Sequence, residues 1–158
     1  MIIRLIEKKD NAALANIVRS VFIELKAPTV GTAYADVSLE NMFETYQQPQ
    51  TVYFVVEDDG KIIGGAGISR LENGDENICE LQKMYFLPEG RGLGMGKKII
   101  ELCLQKAKQF GYKKCYLETF FVMETAQELY KKFGFYYIDA PLGNTGHTAC
   151  PIWMMKDL

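Results

Sequence analysis

Arg91-Gly92-Leu93-Gly94-Met95-Gly96 joins a β-rich segment to a strongly amphipathic one. Glycine permits positive φ and lets backbone N–H groups approach a ligand with no Cβ in the way. The first N–H groups of a following helix have no partners within it, and the helix dipole adds positive partial charge there. Lys97 and Lys98 continue the chain at the same end. The segment therefore predicts a binding loop for an anion such as a polyphosphate.

Two common nucleotide-binding motifs do not match this loop. A Walker A loop needs Ser or Thr after its Gly-Lys pair, whereas Lys98 follows Gly96-Lys97. The dinucleotide motif G-x-G-x-x-G would need glycine where the chain has Lys97. From the loop alone, a tight turn followed by solvated lysines is an open alternative, because lysine is a good helix former.

Strands and helices alternate around the loop. Apolar patterns and β-rich composition predict strands at 2–6, 51–57, 62–68, 78–87, 113–119, 135–138 and 150–155. Apolar spacings of three and four predict helices after Asp10, over about 38–47, from the loop to Phe110, and over 123–133. Asp10 is expected to cap the first helix. Together these patterns predict an α/β fold with a mixed sheet flanked by helices.

The strand before the loop has an irregular apolar pattern. Cys79 and Leu81 occupy odd positions, whereas Met84 and Phe86 occupy even ones. In a regular strand the two pairs would therefore point to opposite faces. A β-bulge near Gln82-Lys83 would place all four on one face of the sheet. A strand covered on both faces is the alternative, and parity does not distinguish the two.

Composition restricts the classes of function. The 158 residues suit one domain over 1–158, and a net charge of −2 gives no electrostatic reason to expect nucleic acid as a partner. The four cysteines form no C-x-x-C pair and there is one histidine, so we expect no metal site. No apolar run approaches the ~20 residues of a membrane span, and the N-terminus does not resemble a signal peptide. We therefore expect a cytoplasmic protein that does not bind membranes.

Three segments together resemble the GNAT superfamily of N-acetyltransferases. Residues 91–96 match the family motif R/Q-x-x-G-x-G/A at every defined position. The strand that precedes this motif in the family resembles Glu80-Leu81-Gln82-Lys83-Met84-Tyr85-Phe86-Leu87-Pro88. The family's A-x-x-L-Y-x-x-x-G-F segment resembles Ala126-Gln127-Glu128-Leu129-Tyr130-Lys131-Lys132-Phe133-Gly134-Phe135. The resemblance implies six or seven mixed strands, about four helices, and a bulged fourth strand that splays from the fifth.

The resemblance also implies acetyl-CoA as the cofactor and CoA as a product. The pantetheine arm would lie between the splayed strands, paired with backbone groups near Met84, Tyr85 and Phe86. The pyrophosphate would be held by backbone N–H groups of Arg91, Gly92, Leu93, Gly94, Met95, Gly96 and Lys97. One position departs from the family, because many members have Asn where this chain has Met123. Thr119, Glu124 or Thr125 could replace that side chain.

Two residues are candidates for proton transfer. By the resemblance, Tyr130 donates a proton to the leaving sulfur; from its apolar helix face alone, it would be a core tyrosine. Glu80 is the leading general base, because several family members keep a carboxylate there. A solvated strand residue is the alternative for Glu80, and Glu118 and His147 are the reserve candidates.

The acceptor pocket is expected between the loops at 27–37 and 141–149. Tyr34 and Asp36 in the first loop, together with Glu118 and His147, are the candidate substrate contacts. The acceptor itself would be a small-molecule amine or a peptide amine. The functional alternative is a regulatory module that binds CoA without catalysis. Homodimers are common in the family, although no segment of this sequence specifies an interface.

Overall fold

Seven strands form one mixed sheet in the computed structural model, which describes residues 1–158. The strands are β1 (Ile2–Leu5), β2 (Val52–Asp58), β3 (Lys61–Arg70), β4 (Ile78–Phe86), β5 (Lys114–Thr119), β6 (Tyr136–Ile138) and β7 (Ile152–Asp157). The helices are α1 (Asn11–Glu24), α2 (Met42–Thr45), α3 (Met95–Gln109) and α4 (Glu124–Lys132). The strand order is β1-β2-β3-β4-β5-β7-β6, and only β4 and β5 are parallel neighbours. The expected mixed sheet and helix count are confirmed.

A bulge interrupts β4 where the apolar parity changes. Gly65 pairs with Tyr85 and Gly67 with Gln82, so two residues of β4 oppose one residue of β3. Lys83 lies in this bulge with a φ of 49°. The bulge brings apolar residues from both halves of the strand to the face covered by α3, namely Cys79, Leu81, Met84 and Phe86. The slip expected at Gln82-Lys83 is confirmed.

β4 and β5 separate after a short parallel ladder. Their pairing runs from Ile78 and Lys114 to Glu80 and Tyr116, and stops there. Both strands continue, β4 to Phe86 and β5 to Thr119. A gap therefore opens in the middle of the sheet, with Glu80 at its closed end.

The sheet separates two apolar clusters. The larger cluster contains inward residues of α3, such as Ile99 and Ile100, together with Tyr130 from α4. The second lies under α1 and α2 and contains Leu14, Phe22 and Met42. Residues on opposite faces of β4 therefore serve different sides of the molecule. No helix combines the length and the apolar composition that a membrane span requires.

Three local expectations were wrong. Asp10 does not cap α1, because its carboxylate accepts hydrogen bonds from the Arg4 guanidinium and from the Glu7 backbone N–H. The helix expected over 38–47 is a 3-10 turn over Val37–Asn41 followed by the four residues of α2. The last strand begins at residue 152 rather than 150, since the Cys150 N–H donates to the His147 carbonyl and closes a turn.

Candidate active site

The glycine loop has the backbone conformation that its sequence predicts. Gly92 and Gly94 have φ values of 72° and 76°, and Gly94 is the residue that precedes α3. A Cβ at either position would meet no atom within 4 Å, so space above this backbone is open. Lys97 and Lys98 are exposed in the first turn of α3. The loop therefore presents free backbone to solvent at the positive end of a fifteen-residue helix.

Arg91 fixes the loop to the rest of the fold through its side chain. Its guanidinium donates to both carboxylate oxygens of Glu24 at 2.7 and 2.8 Å, and to the Phe86 carbonyl at 2.9 Å. The Glu24 carboxylate, at the end of α1, thereby neutralises the charge of Arg91. The side chain anchors the loop, and only its backbone is left for an anion.

The end of β4 presents unpaired backbone to the gap. The Leu87 N–H donates to the Ile63 carbonyl on β3 at 2.9 Å, and Tyr85 pairs with Gly65. Because successive residues of a strand alternate, the Phe86 N–H faces away from β3, towards the gap. Tyr85 is placed differently from its two neighbours: its backbone faces β3, and its ring packs on Phe22 at a centroid distance of 5.3 Å.

A polar cavity of about 530 Å³ lies at the closed end of the gap, on the face of the sheet opposite α3 and α4. It is lined by residues of β4 and of both expected loops, among them Asp36, Glu80, Gln82, Lys83, Thr145 and His147. The loops at 27–37 and 141–149 also contact each other directly, since the Ala149 N–H donates to the Gly31 carbonyl. Tyr34 does not line the cavity; its ring packs against Phe22 and lies under the Arg19 guanidinium.

Glu80 is buried in the wall of this cavity, with 3% of its surface exposed. Gln82 donates to its carboxylate at 2.8 Å, and Gln82 in turn accepts from the Tyr46 hydroxyl at 2.6 Å. Burial raises the pKa of Glu80 to about 7; the Gln82 hydrogen bond opposes the rise and the Glu118 charge adds to it. A carboxyl group with this pKa exchanges protons readily at neutral pH.

Asp36 joins Lys83 and His147 at the cavity wall. Lys83 lies 2.8 Å from its carboxylate, and His147 Nε2 lies 2.9 Å from it. Burial acts to raise the pKa of Asp36, but the hydrogen bond from His147 and the charge of Lys83 outweigh it, so the pKa is lowered. Burial acts to lower the pKa of His147, but its hydrogen bond to Asp36 outweighs this, so the pKa is raised. The Asp36 carboxylate is therefore ionised, paired with the Lys83 ammonium and hydrogen-bonded to His147.

Glu118 and His147 lie together on the cavity side of β5. Glu118 accepts from the Tyr116 hydroxyl at 2.8 Å and from the Thr145 hydroxyl at 2.9 Å. His147 Nδ1 lies 3.7 Å from the Glu118 carboxylate. Both oxygens of Glu118 thus have hydroxyl donors, in contrast to Glu80, which has only the Gln82 amide.

Tyr130 lies on the opposite face of the sheet from the cavity, in the cluster beneath α3 and α4. Its side chain is 5% exposed and packs on Phe135 at a centroid distance of 5.9 Å. Burial raises the pKa of the Tyr130 phenol well above its ordinary value, so the hydroxyl is protonated at neutral pH.

Thr119, at the end of β5, carries the one buried side-chain polar atom with no hydrogen-bond partner. Glu124 and Thr125, the other two candidates to replace the asparagine missing at Met123, are exposed on α4. A buried hydroxyl without a partner is costly unless a ligand or water supplies one. Thr119 is therefore the candidate that the structure favours.

The sequence did not predict the residues that bind the Glu80 and Asp36 carboxylates, namely Gln82, with Tyr46 behind it, and Lys83. The strand pattern indicates Gln82 and Lys83 only as the site of a bulge, and no pattern assigns Tyr46 a role beside them. One signal was present, since Glu80, Gln82 and Lys83 interrupt an otherwise apolar strand. Tyr46 and Asp36, which bind Gln82 and Lys83, lie more than thirty residues away, and no local pattern could have identified them.

Comparisons with known proteins agree with this geometry. A model of the acetyltransferase (GNAT) family matches residues 19–135. The uncharacterised N-acetyltransferase YjgM of Escherichia coli K12 is 40% identical over 158 residues, covering 99% of this chain and 95% of that protein. A GNAT-family acetyltransferase from Staphylococcus aureus Mu50 gives a TM-score of 0.85 at 22% identity, covering 99% of this chain and 98% of that one.

A further solved relative is YncA from Salmonella typhimurium, determined with its cofactor acetyl-CoA. It gives a TM-score of 0.79 at 20% identity, covering 100% of this chain and 94% of that one. The solved structures confirm the fold, while the family model and the relative from E. coli extend over most of this sequence. The chain belongs to the acetyltransferase (GNAT) family, and its enzyme class is acyltransferase.

Proposed function

We propose that this protein transfers an acetyl group from acetyl-CoA to a primary amine by direct attack in a ternary complex. The observation that carries the proposal is the gap between β4 and β5, with the buried Glu80 at its closed end. The polar cavity lies on one face of the sheet beside Glu80, and Tyr130 lies on the opposite face. Membership of the family and the acetyl-CoA bound to YncA support the choice of acyl donor.

The chain has the groups that acetyl-CoA would need. The loop at 91–97 offers backbone N–H groups, with open space over Gly92 and Gly94 for a pyrophosphate. Phe86 has an unpaired N–H facing the gap, and Thr119 has a buried hydroxyl that lacks a partner. When bound, acetyl-CoA supplies an electrophilic thioester carbon and a thiol leaving group.

Glu80 acts as the general base, directly or through one water molecule. An amine attacks only after losing a proton, and Glu80 is the cavity carboxylate whose pKa of about 7 suits that exchange. Asp36 is less suited because its pKa is lowered by His147 and Lys83. Glu118 is less suited because two hydroxyls already donate to it. Asp36, Lys83 and His147 instead shape the acceptor cavity and set its charge.

Phe86 and Tyr130 stabilise charge on the donor side. The Phe86 N–H donates to the thioester oxygen as negative charge builds there. Tyr130 donates to the sulfur as the carbon–sulfur bond breaks and the new carbon–nitrogen bond forms. Burial makes the phenol a weaker acid, but it also raises the pKa of the departing thiol. The difference between the two pKa values, which governs the proton transfer, therefore changes little.

Thiol release from acetyl-CoA, measured over a panel of amines, tests the proposal. The polar cavity leads us to expect turnover with amines that carry further hydrogen-bonding groups rather than with plain alkylamines. The panel includes amino acids, polyamines and peptides with a free N-terminus. Tight CoA binding with no thiol release on any amine would instead support a regulatory CoA-binding module, which the methionine at position 123 leaves open.

Gly94→Ala tests the loop, and Gly60→Ala is its matched control. Both glycines have positive φ, 76° and 81°, and a Cβ at either meets no atom within 4 Å. We expect both variants to lose similar stability, since alanine in this conformation costs about 1–2 kcal/mol. Only Gly94→Ala should also weaken CoA binding, by about tenfold, because its Cβ would enter the open space over the loop where the pyrophosphate is expected.

Calorimetric titration with CoA, after thermal melts of both variants, gives the comparison. Equal CoA affinity in the two variants would remove the loop from the cofactor site.

A further inference from the structure

Three side chains with metal-ligating atoms meet where the 141–149 loop lies over β5. Glu118 belongs to β5, His147 to the loop, and Cys150 to the turn before β7. Each residue offers one ligand atom: a carboxylate oxygen, an imidazole nitrogen and the thiol sulfur. These three atoms lie within 4.8 Å of one another. None of the three transfers a proton in the reaction proposed above, although His147 also lines the acceptor cavity.

The turn that carries His147 and Cys150 holds the two side chains together. The Cys150 N–H donates to the His147 carbonyl at 3.2 Å, which closes a four-residue turn. All three side chains are sheltered: the exposed fraction is 15% for His147, 4% for Glu118 and 6% for Cys150. The cluster is therefore fixed by backbone structure and is not an accidental meeting of mobile surface groups.

Further side chains orient two of the three groups. Asp36 binds His147 at Nε2, the nitrogen on the far side of the ring, which directs Nδ1 towards Glu118 at 3.7 Å. Tyr116 holds one oxygen of Glu118 at 2.8 Å. A carboxylate on the distal nitrogen of histidine is the arrangement that fixes the tautomer and orientation of metal-bound imidazoles.

The chemistry of the donor set selects the ion. One nitrogen, one sulfur and one carboxylate oxygen suit Zn²⁺, which takes such ligands at about 2.0–2.3 Å in tetrahedral sites. Ligand atoms around such an ion are roughly 3.3–3.8 Å apart, so the widest separation here must close by about 1 Å. Three protein ligands leave a fourth position, and His147 already lines the acceptor cavity.

We propose that Glu118, His147 and Cys150 bind one Zn²⁺ ion, with Asp36 and Tyr116 orienting two of the ligands. Binding replaces the thiol proton of Cys150, which passes to solvent. The ion would join the acceptor loop to β5 and leave its fourth position to water or to a substrate group. A C-x-x-C count does not detect such a site, because its nitrogen and sulfur ligands are spaced H-x-x-C and its third ligand comes from a distant strand.

Titration of the metal-free protein with Co²⁺ tests the site without reference to acetyl transfer. We expect one ion per chain, a thiolate-to-cobalt charge-transfer band, and displacement of Co²⁺ by Zn²⁺. Cys150→Ala should abolish the band. The matched control is Cys103→Ala, at another buried cysteine remote from the cluster, which should keep it. Asp36→Asn should weaken Zn²⁺ binding by about 10–100-fold, as expected for an outer-shell partner.

A wild-type protein that binds no Co²⁺, or binds it without a thiolate band, would overturn the proposal. The same conclusion follows if Cys150→Ala and Cys103→Ala behave alike. Glu118→Gln gives a second route should the alanine variant at position 150 fail to fold: it removes one ligand charge while keeping the side-chain shape, and unchanged affinity in that variant would also contradict the site.

Discussion

Tyr130→Phe is expected to lower kcat by about 100-fold or more while changing the affinity for acetyl-CoA by less than about threefold. The variant removes one oxygen from a side chain that otherwise packs in the core, so the fold should persist. The lost hydroxyl matters only when charge develops on sulfur, and therefore in the transition state rather than in cofactor binding.

Tyr112→Phe is the matched control for this experiment. It removes a phenol that is also buried, but its hydroxyl donates to the Gln50 carbonyl, remote from the gap. Single-turnover measurements would separate the chemical step from product release. If Tyr130→Phe and Tyr112→Phe turned over equally fast, Tyr130 would be a core residue and the sulfur would need another donor. Because burial keeps the Tyr130 phenol protonated, we also expect it to add no alkaline decline below pH 9.

Glu80→Gln is expected to lower kcat/KM by about 100-fold and to remove its dependence on pH around neutrality. In the wild type the base must be ionised, and the pKa of Glu80 is raised to about 7 by burial. The value of kcat/KM should therefore rise as pH passes through about 7 and level off above it. The glutamine cannot ionise, so the variant should show no such rise. Glu101→Gln, on the exposed side of α3, controls for the loss of a carboxylate.

Gln82→Ala distinguishes a positioned base from a general effect of charge. The Gln82 amide donates to Glu80 and holds its pKa down. Its removal should move the rise in kcat/KM to higher pH, so that activity lost at pH 7 returns at pH 8–9. A profile that stayed in place after this substitution, or a wild-type rise that survived Glu80→Gln, would assign the titrating group elsewhere.

Local patterns predicted the parts of the fold whose causes are local. The glycines at 92 and 94 are expected to allow positive φ, and both have it, with φ values of 72° and 76°. The parity change between Leu81 and Met84 located the bulge correctly because sheet faces follow residue counting. The family resemblance supplied the splay between β4 and β5, which no count of apolar residues shows.

The partners of the site residues could not be predicted in the same way. Asp10 is a favourable helix cap by residue type, yet the half-buried Arg4 guanidinium competes for its carboxylate. The Tyr46–Gln82–Glu80 chain and the pair of Lys83 with Asp36 join segments that are far apart in sequence. These contacts shift the pKa values of Glu80 and Asp36 strongly because the groups are buried. Burial arises only when both faces of the sheet are packed.

Lys83 also restricts how the length of β4 can vary. Losing one residue at the bulge would give a regular strand and relieve a left-handed lysine, a conformation that costs about 1–2 kcal/mol. The same loss would exchange the two faces of the strand from the bulge to Phe86, and would turn Met84 and Phe86 out of the apolar cluster beneath α3. Loss of this burial costs more than the relief at Lys83 gains, since each such side chain contributes about 1.5–3 kcal/mol when buried. Insertions and deletions in this strand are therefore expected to be tolerated only in pairs of residues, which restore the alternation of its faces.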